Sequence, residues 1–194
     1  MFERASRKLE EARSQIAALR VATTAIQFRT AFSAFLSSSR AVTYALQKEG
    51  AHIPGFAKWY EAKQAELKSD PLMRFFHEAR TDDFHEGKDR LRFATHVGHL
   101  STKDAGPPPT PDAAFVLGPE GPHWLVGKGT VEERLIPIQG GGSYSISVSL
   151  AQPPTMHCGK ELPSTDPLSL CLAASTYLAA LLHEARSVLD RSRA

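Results

Sequence analysis

The sequence predicts a mainly α protein: an antiparallel helical bundle with a small antiparallel β-rich insertion before the C-terminal helix. Three observations carry this. Apolar residues recur at three- and four-residue spacing through most of the first hundred positions, the repeat of helices that each bury one face. At GPPPTP, residues 106–111, that pattern stops, and short β-rich runs separated by Gly and Pro follow. At Ser164-Thr165-Asp166-Pro167 a capping residue followed by proline restarts a helix. The chain is therefore expected to divide into a helical block at 1–105, a β-rich insertion at 106–163 and a C-terminal helix at 164–194 that packs back on the first block.

The first helix carries Phe2, Ala5, Leu9, Ala12, Ile16 and Leu19 as a narrow apolar seam on a charged surface. Such a seam suits packing along one neighbour, inside the domain or across a short coiled coil. Residues 22–49 form the strongest helix. Its stripe is Ile26, Phe28, Phe32, Phe35, Leu36, Val42 and Leu46, and Gly50 is a natural stop. Arg29 and Arg40 flank that stripe, as surface residues or as the lining of a site. Pro54 opens a helix to about Lys68, with Phe56, Trp59, Tyr60 and Leu67 as core candidates. Asp70 can cap the next helix and Pro71 fits its first position. That helix runs to about Arg80 with Leu72, Phe75 and Phe76 inward, and a further one is expected from Phe84 to about Leu91 or Phe93.

In the insertion, AAFVLG, HWLVG, RLIPI and YSISVSL read as strands, with GPEGP as a hairpin signal between the first two. The expectation is an antiparallel sheet of three or four strands. GGG at 140–142 lacks the Gly-Lys-Ser/Thr of a phosphate loop and reads as a turn. The last helix has Leu178, Leu181, Leu182, Ala185, Val188 and Leu189 as its stripe.

Bulk properties narrow the function classes. The 194 residues carry 23 basic and 21 acidic side chains, a net charge of +2. Nothing in that balance demands a nucleic-acid partner, and a local basic face stays open. No apolar run approaches the roughly 20 residues of a membrane span, so no membrane partner is expected. The N-terminus, MFERASRKLEEARSQ, is charged and lacks a secretory core. Cys158 and Cys171 are too few for a disulfide framework and point to a reducing cytoplasm, with a single bridge between them left open.

The stretch ARTDDFHEG, residues 79–87, holds the most chemistry. On one continuous helix Arg80 and His85 would lie about 140° apart. Asp83 and Glu86 form a capping-box pattern that breaks the helix between them, so both side chains can reach one surface. Arg80 offers a planar cationic fork for a phosphate, and His85 can exchange a proton near neutral pH. Lys88 and Arg92, four apart, would share a face and hold RNA phosphates, or form a solvated helix surface. The bland alternative for the junction is ion pairing of Arg80 with Asp83 or Glu78, with His85 idle.

R80-TDDF-H85 resembles the signature of the HEPN superfamily, compact helical-bundle proteins marked by Arg-x(4–6)-His at a junction between the later helices. The resemblance covers roughly residues 22 to 95. It implies a metal-independent endoribonuclease of the toxin or defence type, acting through 2′-OH attack at a composite site in a homodimer, with no cofactor. Arg80 and His85 would be catalytic, and Thr81, Asp82 and Asp83 would support them. An antitoxin or other protein partner is also implied. Thr81 stands where active members usually carry Asn, Asp or His. The alternative is a non-catalytic dimeric binding module whose β-rich insert recognises a protein or small ligand.

Other clusters are weaker. His96 and His99 would share a helical face, but no spacing completes a metal set, and no metal is expected. Met156-His157-Cys158 reads as a loop triplet, in which Cys158 would need a paired base to act as a nucleophile.

Overall fold

The computed structural model of the protein describes residues 2–82, 90–100, 105–118, 120–138, 140 and 142–193. Among these are five helices: α1 (Glu3–Val21), α2 (Ala25–Gly50), α3 (Phe56–Ser69), α4 (Pro71–Thr81) and α5 (Pro167–Arg193). Between α4 and α5 lie β1 (Leu91–Leu100), β2 (Ala114–Gly118), β3 (Gly121–Val126), β4 (Arg134–Pro137), β5 (Gly142–Leu150), β6 (Met156–His157) and β7 (Lys160–Glu161). The chain is mainly α, with small β-sheets, and forms two compact units. The helical unit takes Met1–Ala22, Gln27–Arg92 and Ser149–Ala194; the β-rich unit takes Thr23–Ile26 and Phe93–Val148.

In the helical unit, the α1 seam Ala5, Leu9, Ala12, Ile16 and Leu19 is buried, and α1 packs along α5. The start of α1 has no capping side chain of its own: Phe2 is its N-cap in a left-handed conformation. Glu49 from α2 takes over that task. Its two carboxylate oxygens accept from the backbone N–H of Arg4 and of Ala5, each at 3.0 Å, which also places a negative charge at the positive end of the helix. Phe2 can then turn inward and stack on Phe56, ring centroids 5.9 Å apart, while Phe56 stacks on Tyr60 at 5.5 Å. Val42, Leu46, Leu178, Leu181 and Ala185 complete this core. Gly50 ends α2 as expected, but its necessity is spatial. A Cβ there would lie 2.2 Å from the Phe56 ring.

Ile26 departs from the expected α2 stripe: it is 62% exposed, whereas Phe28, Phe32, Phe35 and Leu36 are buried. A second aromatic group joins α2 to α4, with Phe35 and Phe76 edge to face at 5.4 Å. The cap at Asp70 forms as the sequence predicts, accepting from the Met73 N–H at 2.9 Å, with Pro71 opening α4. Asp166 does the same for α5 through the Ser169 N–H at 2.9 Å. The segment Pro167–Arg191 is long and apolar enough to cross a membrane by composition. Leu170, Ala174, Leu178 and Leu181 spend that apolarity in the core.

In the β-rich unit, β2, β3 and β4 form an antiparallel sheet. Phe115 faces Trp124 across the first pair, and Trp124 faces Ile136 across the second. Such cross-strand aromatic and β-branched pairs fix register. The GPEGP hairpin signal is realised with Gly118 opposite Gly121. β1 pairs with β5.

β1 is a correction to the sequence expectation, which carried a helix to Leu91 or Phe93 and placed His96 and His99 on one helical face. LRFATHVGHL is a strand. Phe93 and Thr95 are half-buried between exposed Arg92, Ala94 and His96, the period of two that a strand requires. Pairing with β5 outweighs the local helical signal. Three residues apart on a strand, His96 and His99 point to opposite faces. His96 Nε2 instead lies 2.8 Å from Ser147 Oγ.

Candidate functional site

The structure separates the sequence-predicted site residues. Arg80 is half-buried in the last turn of α4. Thr81 folds back, its hydroxyl donating to the His77 carbonyl at 2.9 Å. Asp82 is engaged by Arg90, which donates from Nε at 2.7 Å and reaches it from Nη2 at 2.6 Å. Arg90 also lies over the Phe75 ring at 5.2 Å and 3.6 Å from Glu78. Asp82 and Thr81 are thus committed to local structure. Asp83, His85 and Lys88 lie outside the described residues. Arg92 is exposed on β1, not on a helix face with Lys88 as expected.

A second polar cluster joins sequence-distant residues. Cys158 and Gly159, with φ of 49° and 72°, make the two-residue turn between β6 and β7, a geometry that two left-handed residues provide. The turn presses its chain onto Asp70. His157 Nδ1 lies 2.9 Å from Asp70 Oδ1, and the Cys158 N–H donates to Oδ2 at 2.7 Å. With the Met73 N–H, the carboxylate receives three donors. Burial raises the Asp70 carboxyl pKa, but the donors from Cys158, Met73 and His157 outweigh it and hold it below the usual range. Tyr177 sets its ring edge-on to His157 at 5.4 Å, and its phenol is pushed up to about 12 by burial and Glu66.

Cys, His and Asp side by side suggest a thiol nucleophile or a metal, and their ligand atoms lie within 4.8 Å of one another. The geometry serves neither. Cys158 Sγ is 3.7 Å from His157 Nδ1 and 3.6 Å from Nε2. An atom equally far from both nitrogens lies off the lone-pair direction of each. Burial, Asp70 and Glu66 also push the thiol pKa up, away from the reactive thiolate. Asp70 has its oxygens occupied. Both cysteines are free thiols, Cys158 exposed and Cys171 buried. The cluster is a clasp that ties the β6–β7 hairpin to the start of α4.

The third feature is a cleft of about 320 Å³ where α2, α3 and α4 meet. Each helix brings a cation to it: Arg40 from α2, Lys68 from the end of α3, and Arg74 with His77 one turn apart on α4. The lining also includes the apolar Leu36, Leu67, Met73 and Phe76. Ser39, Thr43 and Tyr60 supply hydroxyls that are already engaged. Ser39 donates to the Leu36 carbonyl, Thr43 to that of Arg40 and Tyr60 to that of Thr43. Burial raises the Tyr60 phenol pKa and Arg40 partly offsets it. Arg40 Nη1 donates to Thr43 Oγ1 at 2.9 Å, which orients the guanidinium. No carboxylate lines the cleft among the described residues. Glu78, outside the lining, meets Arg74 at 3.8 Å with both side chains about half exposed, a pairing of small strength. Sequence inspection singled out Arg40 as a possible lining residue but passed over Lys68 and Arg74. Their signal is the adjacency of cations to Leu67 and Met73 on two successive helices.

The structure thus defines a helical unit with a cation-lined cleft and a separate β-rich unit. Residues 2–91 match the family model described as Bacteriophage lambda protein ea47, a span covering α1 to α4 and the first residue of β1. Comparison with curated proteins finds no match, and comparison with solved structures finds none. The ea47 match corrects the HEPN resemblance, because the Arg80–His85 stretch falls inside it and the family is a different one. The physical reason is the thinness of the signal: an Arg and a His at a fixed short spacing recur by chance in helical proteins.

Proposed function

We propose that this chain is a ligand-binding protein whose helical unit holds a small anionic ligand in the α2–α3–α4 cleft. One observation carries this. Three helices each deliver a cation to one concave, partly apolar surface that no carboxylate lines among the described residues. Like charges gathered on one concave surface attract an anion. The apolar part of the lining gives the ligand's body somewhere to pack, as small-molecule sites do. An antiparallel bundle arrangement of the helices, with α5 against α1 and α3, is part of the same proposal. It is supported by the Lys63–Glu184 ion pair at 2.9 Å between α3 and α5.

Thermal melting tests the proposal. Amphipathic anions should raise the melting temperature, and their neutral counterparts should not. A ligand at a hundred times its Kd stabilises by about 2.7 kcal/mol. The shift should vanish in an Arg40→Gln/Arg74→Gln double variant that melts like the parent without ligand. Equal shifts in parent and double variant would exclude the cleft.

Metal-independent RNA cleavage ranks second. It rests on the spacing of Arg80 and His85, while Thr81 and Asp82 are engaged elsewhere. Its test is RNA cleavage in EDTA by the parent beside folded Arg80→Ala and His85→Ala variants. Loss in both variants would support it, and cleavage equal in all three proteins would remove it.

A further inference from the structure

We infer that the group this cleft recognises is a phosphomonoester dianion on a compact apolar or aromatic body. This rests on the cleft being a ligand site at all, and adds the chemistry of the ligand. Charge is the first argument. Arg40, Lys68 and Arg74 are three permanent cations on the lining, and His77 is a fourth nitrogen donor. A carboxylate brings one negative charge, whereas a phosphomonoester brings close to two at neutral pH, its second pKa lying near about 6.

Direction is the second argument. A carboxylate accepts in one plane along one edge. A phosphate monoester presents three oxygens around a tetrahedral centre, so donors arriving from different sides each find one. Here the donors stand on three different helices, and two of them are guanidinium forks. The lining hydroxyls of Ser39, Thr43 and Tyr60 donate to backbone carbonyls, so recognition falls to the cations and the Gln64 amide. Size is the third argument. About 320 Å³ sits at the lower end of small-molecule sites. It admits a single aryl or nucleoside phosphate, or the terminal phosphorylated residue of an oligonucleotide, but no longer stretch of chain. Leu36, Leu67, Met73 and Phe76 would pack the body.

Calorimetric titration of the full chain decides among these. The probes are phenyl phosphate, its methyl ester, benzoate, and a short oligoribonucleotide with and without a 5′-phosphate. Phenyl phosphate is expected to bind at least tenfold more tightly than the methyl ester or benzoate. Arg40→Gln and Arg74→Gln should each weaken it tenfold or more, with unliganded melting unchanged. If the phosphorylated oligonucleotide binds more tightly than phenyl phosphate and its dephosphorylated form does not bind, the phosphate belongs to a nucleic-acid end. If only the free monoester binds, it belongs to a small molecule. Benzoate or the diester matching phenyl phosphate, with the same loss in the arginine variants, would overturn the phosphate assignment and leave the cleft standing. No binding by any anion would remove both.

Discussion

The helical unit holds two polar clusters that look alike in composition and differ in balance. At the Asp70 clasp, one carboxylate meets three donors and every partner is intramolecular. In the cleft, three permanent cations share a surface that no carboxylate lines among the described residues. The comparison teaches that chemically suggestive residues are a poor guide by themselves. Cys158, His157 and Asp70 resemble a catalytic triad on paper, yet the Asp70 carboxylate and its three donors hold a hairpin to a helix start. The less conspicuous Arg40, Lys68 and Arg74 keep capacity to spare.

The largest expected effect breaks the clasp. Asp70→Ala removes a helix cap and leaves a half-buried histidine and two N–H groups without an acceptor, which should cost about 2–4 kcal/mol. At roughly 2–4 °C per kcal/mol for a chain of this size, the drop in melting temperature is readily measured. The pH dependence follows from sign. Asp70 has its folded pKa below its unfolded one, so its stabilisation is present above the ordinary carboxylate pKa of about 4 and is lost as pH falls through the folded value. The gap between parent and variant should therefore narrow below about pH 4. A constant gap would assign the loss to packing instead of charge.

The next effect separates binding from stability. Arg74→Glu should weaken an anionic ligand by about a hundredfold, or roughly 2.7 kcal/mol, while unliganded stability stays within about 0.5 kcal/mol. Titration and melting of the same sample check both halves, and a variant that melts much earlier would make Arg74 a structural residue like Asp70.

Salt should sharpen the contrast. The screening length shortens from about 10 Å at 0.1 M salt to about 3 Å at 1 M, so cleft affinity should fall several-fold over that range. The melting difference between parent and Asp70→Ala should barely move, because the Asp70 carboxylate is buried and hydrogen-bonded.

The smallest effect concerns Cys158. Its φ is +49° and it precedes Gly159, the setting in which Asn-Gly is favoured. Cys158→Asn keeps the backbone N–H that Asp70 needs. Its melting temperature should stay level or rise by about 1 °C, for a few tenths of a kcal/mol. Cys158→Val, branched at a left-handed position, should lower it. A loss of function in Cys158→Asn with unchanged melting would return the thiol to consideration.

Much of the fold was legible because its signals are local. Ser69-Asp70-Pro71 and Asp166-Pro167 announce helix starts through their own chemistry, and both caps form. The runs AAFVLG, HWLVG and RLIPI announce β2 to β4 in the same way. Other features depend on pairing at a distance. LRFATHVGHL becomes a strand beside β5, some fifty positions further along the chain, as the His96–Ser147 contact shows. The second role of Asp70 depends on His157, 87 residues away. The cleft exists only once three helices converge, so Lys68 and Arg74 read as ordinary surface cations until then. Arg80 and His85 stood out because they are close in sequence, and proximity of that kind carries little information about a site.

The most direct test is a nuclear magnetic resonance titration of the isotopically labelled chain with phenyl phosphate. The amide signals of Thr43, Lys68 and His77 should move in a saturable way, while those of Cys158 and Gly159 stay in place. Saturable changes centred on the 157–160 hairpin, or no saturable change at all, would contradict the division between a closed clasp and an open cleft.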